Sequence, residues 1–322
     1  MRYPVDLGIV PDMPIQASPR ALLLTSLQLW ATLALTSGAA PAQISGGIRI
    51  DGKNPLASKD AAAIPSRFPL EIKPGDRVAF IGNTLLDRAQ YFAYFETLLQ
   101  QSHGSANLRV RTLAWSADEI DLAPRPANFG SLEQHLRVQQ ADVIFAAYGF
   151  NESFRGPAGV ADFKRRLGQF LESLKTRAFN GKTGPRIVLI SPTANEDVDG
   201  VAAGQRNNSN LQVYTTAMQT VAKQHSIAFA DVFAPTKAAM AQSKVPLTFN
   251  GVHLTDHGYR VFAAKLFRIV FQRQAPTPNQ ALREAVLDKN RQFQYRYRPL
   301  NTFYYVGGRK GPYGNDDFLP AM

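Results

Sequence analysis

The segment Val78-Ala79-Phe80-Ile81-Gly82-Asn83-Thr84 constrains this chain more than any other. Its apolar run reads as a strand buried on both faces, and the glycine breaks it into a short polar turn. A helix begins at about Leu85. Such a turn carries a small polar side chain off the C-terminal edge of a sheet, where open α/β folds place their chemistry. Three later segments look built to converge on it: Trp115-Ser116-Ala117-Asp118, Tyr148-Gly149-Phe150-Asn151-Glu152 and Asn250-Gly251-Val252-His253.

Around these segments, strand-like and helical patterns alternate. Strands are expected over 77–82, 108–113, 142–147, 186–190 and 227–231. Helices are expected over 86–101, 131–139, 160–177, 208–225 and 255–272, the last capped by Thr255. Alternation of this kind implies parallel strands joined by helical crossovers. The expected fold is α/β: a three-layer α/β/α sandwich with a central, mostly parallel sheet, spanning 71–275.

The flanks differ from this core. Arg20 precedes the apolar run Ala21–Leu35, which small residues follow up to Ala40-Pro41-Ala42. That order is the order of a secretory signal, and the run is too short to span a bilayer comfortably. Residues 1–42 are therefore expected to be a signal peptide, placing the protein in the periplasm or outside the cell with no stable membrane span after cleavage; an uncleaved signal anchor is the other reading. Residues 43–70, rich in Gly, Ala, Ser and Pro, read as a linker or a surface strap. Residues 276–322 form a basic, aromatic extension with one further helix over 279–295. Aromatics interleaved with arginine, as in Tyr295-Arg296-Tyr297-Arg298, can stack nucleic-acid bases. A tail packed on the domain explains them as well, and no recognisable nucleic-acid module accompanies them, so no nucleic acid is expected.

The absence of cysteine excludes disulfides, thiolate metal sites and a cysteine nucleophile. The five histidines form no helical ligand pair, so neither a metal nor a cofactor is expected. The net charge of +11 suits nucleic acid, an acidic polysaccharide or an anionic surface, or is simply a solvated basic exterior. Residues 1–42 contain two Arg and two Asp, so their removal leaves that charge unchanged.

Taken in order, Gly82-Asn83-Thr84, Ser116-Ala117, Gly149-Phe150-Asn151 and Asn250-Gly251-Val252-His253 resemble the blocks of the SGNH, or GDSL-type, hydrolases. In that family the first block is Gly-Asp-Ser at the end of the first strand. The second carries a Gly, the third is Gly-x-Asn, and the last is Asp-x-x-His before the final helix. The run Gly251-Val252-His253-Leu254-Thr255-Asp256-His257-Gly258-Tyr259 is the most specific match. The whole chain also resembles a secreted subgroup of this family found in planctomycete-type bacteria.

The resemblance implies acyl transfer on a small-molecule or carbohydrate ester. Thr84 would be the nucleophile, His253 the base and Asn250 the group that orients it. Asn151 and the residue-117 amide would form the oxyanion hole, with Asn83 and Gly149 in support. The departures matter. Thr84 replaces the family serine with a hindered, β-branched alcohol. Asn250 replaces an aspartate with a neutral amide, which orients an imidazole without stabilising its cation. Ala117 stands where the family has Gly. These changes motivate an alternative, a non-catalytic module that binds a glycan or acylated ligand. Each residue also has a plain structural reading: Thr84 as a helix cap, Asn151 as a turn former, His253 as a hydrogen-bonded loop residue. Ser116, Ser153 and Ser191 are other hydroxyls near strand ends, and Asp256 is a substitute acid or a first-turn carboxylate.

Overall fold

The structure, a computed structural model, describes residues 58–125 and 129–298. The expected signal peptide, most of the 43–70 segment and the last residues of the C-terminal extension lie outside the described residues.

Five strands form the central sheet: β1 (Arg77–Gly82), β2 (Arg109–Thr112), β3 (Val143–Ala147), β4 (Arg186–Ile190) and β5 (Ala228–Ala230). All pairings are parallel, in the order β2-β1-β3-β4-β5. Eight helices accompany them among the described residues: α1 (Thr84–Ala89), α2 (Tyr94–Ser102), α3 (Leu132–Gln139), α4 (Val160–Lys175), α5 (Ala203–Gln224), α6 (Phe233–Gln242), α7 (Asp256–Phe271) and α8 (Gln280–Tyr297). None of them is long and apolar enough to cross a membrane.

The two cores follow from the alternation of side chains along a strand. Phe80, Val143, Phe145 and Val188 face one side and pack on Phe95 and Leu99 of α2 and Phe262, Leu266 and Phe267 of α7. Ala79, Ile81, Ile144 and Leu189 face the other and pack on Phe163 and Leu167 of α4 and Tyr214 and Met218 of α5. Each fully buried side chain of this size contributes roughly 1.5–3 kcal/mol, so the sheet is anchored from both faces. Strand order reverses between β1 and β3. That switch point opens a crevice beyond their C-terminal ends.

Three helical expectations need correction. The single helix expected over 86–101 is two, because the chain turns through Ala93 in the left-handed region at φ 58°. The Gln90 side chain takes up the Asp87 carbonyl there, and the turn lays Phe92 flat on Tyr259 at 4.4 Å. Helix α6 was not expected, since its alanines and Pro235 show no apolar period. Its first N–H groups are satisfied by Ser191 Oγ and Asp231 Oδ1, and proline is tolerated in a first turn. Helix α5 also starts earlier than expected, at Ala203.

Candidate active site

The first βα turn is set by a close approach. Gly82 has φ 113°, and a Cβ there would lie 2.0 Å from the Ala147 carbonyl oxygen, so only glycine lets β1 end against β3. Asn83 then donates its backbone N–H to Ala147 O (3.1 Å), and its side chain caps α1 by accepting from Leu85 N (3.2 Å). The cap role considered for Thr84 thus belongs to Asn83. Thr84 opens the helix with its hydroxyl outside the cap, accepting the Ala117 N–H at 3.1 Å.

Ala117 reaches that position because β2's path continues alongside β1, with Trp115 N–H donating to Gly82 O (3.0 Å). The loop then turns through Ala117 at φ 67°. A left-handed alanine is strained by about 1–2 kcal/mol, a strain that a glycine in this place does not carry. Asn151 braces the same loop, donating from Nδ2 to Ala117 O at 2.8 Å. Nδ2 also stands 3.5 Å from Asp118 O. Gly149 needs its positive φ of 92°, and its N–H is held by the fully buried Glu152 carboxylate (2.9 Å), which also accepts from Ile120 N (3.1 Å). Burial raises the Glu152 carboxyl above the usual range, and these N–H bonds oppose the shift.

His253 comes from a loop fixed by Glu196, which accepts from Leu247 N (3.1 Å), Thr248 N (2.7 Å) and Thr248 Oγ1 (2.7 Å). Thr255 caps α7 just beyond, as expected from the sequence. Asn250 Oδ1 accepts the N–H groups of Val252 (3.2 Å) and His253 (2.9 Å). Both ends of its amide reach the His253 ring: Nδ2 stands 3.0 Å and Oδ1 3.2 Å from Nδ1. A carboxylate in that place accepts only from Nδ1–H, which keeps Nε2 free of a proton; the amide accommodates either tautomer. The imidazole pKa is lowered, first by burial and then by the Arg88 guanidinium, so the ring is neutral at pH 7.

Thr84 and His253 share the wall of one cavity of ≈ 50 Å³, together with Asn83, Leu85, Phe150, Pro192 and Val252. Among the described residues no hydrogen bond joins them. Ser191 is fully buried and accepts the first N–H groups of α6, and Ser153 donates to the Phe150 carbonyl (2.6 Å). Ser116 Oγ donates to Asp87 Oδ2 (2.6 Å). Asp256 accepts from Tyr94 and Arg283 rather than from His253. Among the described residues, no group of three or more potential ligands could hold a metal ion.

Sequence reasoning missed a scaffold behind the hydroxyl. Asp87, 5% exposed, accepts from Ser116 N (2.9 Å), from Ser116 Oγ and from Arg298 at the end of α8. Arg298 and Arg125 both stack on Trp115, at 4.5 and 4.3 Å from its ring centroid. Arg125 in turn pairs with Asp118 (2.8 Å). Tyr297 accepts the Trp115 indole N–H (3.2 Å), and burial pushes its phenol up to about 12. The Tyr295–Arg298 stretch thereby sends Tyr297 and Arg298 inward onto the loop of residue 117. The usable signal was Asp87 itself, a carboxylate one turn after Thr84 in an apolar stretch. Arg88 was also missed. Its Nε is buried without a partner among the described residues, and its guanidinium lies 5.3 Å from the Phe249 ring, which stacks on His253.

The sequence profile of the GDSL-like Lipase/Acylhydrolase family matches residues 80–261. Among solved structures, a variant of an acetyl-xylooligosaccharide esterase from Geobacillus is 18% identical, covering 65% of this chain and 100% of its own, at TM-score 0.50. A catalytic variant of the same enzyme, an acetylxylan esterase from Geobacillus stearothermophilus, gives 18%, 65%, 100% and 0.50. An α/β hydrolase from the metagenome of Lake Arreo, Spain, is 15% identical over 62% of this chain and 96% of its own, at 0.48. No curated protein matches the chain.

Proposed function

Because the chain belongs to the GDSL-like lipase/acylhydrolase family, we propose that it hydrolyses a short-chain carboxylic ester, an O-acyl group on a carbohydrate, through an acyl-Thr84 intermediate. The observation that carries this reading is the ≈ 50 Å³ cavity with Thr84 and His253 on its wall. One water needs roughly 10–15 Å³, so the cavity suits a short acyl group of roughly two or three carbons. Leu85, Phe150 and Val252 supply an apolar lining for it. The choice of a sugar ester follows the activity of the Geobacillus esterase whose two variants resemble this chain.

Thr84 Oγ1 attacks the carbonyl carbon while its proton passes to His253 Nε2. Nδ1–H of the resulting imidazolium donates to Asn250 Oδ1. The Ala117 N–H, already beside Oγ1, receives the oxyanion together with the second N–H of Asn151. The bond to the sugar oxygen breaks, and that oxygen takes the proton from Nε2. Water repeats the sequence on the acyl-threonine, releasing the acid and restoring Thr84. The hydroxyl–imidazole hydrogen bond forms on substrate binding, as catalytic hydrogen bonds often do.

Asn250 supports a second reading, a binding module without turnover, since its amide neither selects the tautomer nor balances an imidazolium beside Arg88. Hydrolysis of nitrophenyl acetate by the wild type, Thr84→Ala and His253→Ala separates the two. The enzyme reading expects both variants to fall to background and an acylated Thr84 to be trapped by mass spectrometry. Equal rates in all three would leave only the binding module. Export rests on residues 20–42, and N-terminal sequencing of the secreted product should begin at Gln43.

A further inference from the structure

A second concavity lies on the opposite end of the sheet, between the edge strand β2 and α8, with a volume of ≈ 500 Å³. That falls within the range of roughly 300–1,000 Å³ typical of small-molecule sites, and it is lined by the first residues of β1 and β2 rather than their last. Four cations line it: Arg77, Arg109, Arg111 and Lys289. The lining carboxylate, Glu96, is already paired through Oε1 with Lys289 Nζ (2.5 Å). Burial works against both members of this pair, raising Glu96 and lowering Lys289, and Arg111 lowers Lys289 further. Arg111 lies 5.0 Å from the Phe293 ring centroid and donates to Val110 O. The guanidinium groups of Arg77 and Arg109 make no hydrogen bond or ion pair among the described residues. Positive charge is thus gathered in a concave surface beyond what its own carboxylate neutralises.

The rest of the lining narrows the ligand. Asn107 and Gln100, whose Nε2 also donates to Leu108 O (3.3 Å), offer amides for hydroxyl groups, and Leu108 and Leu282 offer aliphatic surface. A compact inorganic anion uses neither. No aromatic ring lines the groove to stack a nucleobase, and the nearby Phe293 already stacks with Arg111. Spaced guanidinium forks, amides and an aliphatic patch match a chain of sugar rings bearing carboxylates, since arginine pairs with carboxylate in bidentate fashion. We infer that this groove binds a carboxylate-bearing oligosaccharide. The inference stands apart from the hydrolytic reading, because none of its residues touches the Thr84 cavity.

Calorimetric titration of the full chain with tetragalacturonate tests it, with cellotetraose as the neutral control. Binding of the acidic tetramer alone is expected, weakening as salt rises. Arg77→Ala with Arg109→Ala should weaken it about tenfold or more, leaving nitrophenyl acetate hydrolysis unchanged. Thr84→Ala should leave the binding unchanged, so that failure of catalysis and failure of this site are read separately. If the double variant unfolds, Arg109→Ala alone, at an exposed position, serves, and unchanged affinity there overturns the proposal. It is equally overturned by no binding, by equal binding of cellotetraose, by equal binding of a single-stranded oligonucleotide, or by loss of binding in Thr84→Ala.

Discussion

The loop that carries the residue-117 amide and the loop that carries His253 are both held by buried carboxylates, but the carboxylates are spent differently from what an imidazole base needs. Asp87 takes the amide and hydroxyl of Ser116 together with Arg298, and Asp118 takes Arg125. Glu196 takes two backbone amides and a hydroxyl from the segment before His253. At the imidazole itself the partner is the Asn250 amide, and the nearby charge is the Arg88 cation. The hydroxyl half of the site is therefore rigidly built, while the base half is well placed and electrostatically unsupported. Positioning and charge stabilisation are separable properties, and in the proposed mechanism this chain supplies the first without the second.

The largest expected effect comes from removing that difference. Asn250→Asp should raise kcat on nitrophenyl acetate by about 10²–10⁴-fold, the reverse of the loss seen when a triad aspartate becomes asparagine. An unchanged rate would show that the base half is not where activity is limited. The opposite manipulation weakens the rigid half. Asp87→Ala leaves Arg298 and the Ser116 amide without their buried acceptor and should cost about 3–5 kcal/mol of stability. Denaturant unfolding measures this, and kcat should fall more than KM rises, because Ser116 immediately precedes Ala117, whose N–H serves the proposed oxyanion hole.

A pH profile reads the charge difference more gently. A base works when deprotonated, and burial and Arg88 both lower the His253 pKa. The acid limb of kcat/KM should therefore lie below the ordinary histidine value of about 6.5, with activity holding through mildly acidic pH. Arg88→Met removes the cation and should move that limb upward; a limb that stays put assigns the depression to burial alone. The smallest effect is expected at Ala117→Gly. Relief of the left-handed alanine, about 1–2 kcal/mol, is offset by the added freedom of glycine in the unfolded chain, about 0.5–1 kcal/mol. The net gain in unfolding free energy should be about 0–1.5 kcal/mol, with no loss of activity.

The sequence alone determined the central sheet and the segments at its C-terminal edge. Strand and helix patterning is a local property, and the boundaries of β1, β4 and α7 were readable from apolar runs, a breaking glycine and a capping threonine. The resemblance drawn from Gly82-Asn83-Thr84, Gly149-Phe150-Asn151 and Asn250–His253 pointed to the family that the profile match then established. Tertiary structure decided what depends on partners distant in the chain. Asp87 meets Arg298 across 211 residues, and Arg88 comes beside His253 only after α1 and the final loop are packed together. The break between α1 and α2 likewise seats Phe92 on Tyr259, a partner distant in the chain. A side chain's type and spacing state what it is able to do; which charge stands next to it is decided only when the chain closes on itself.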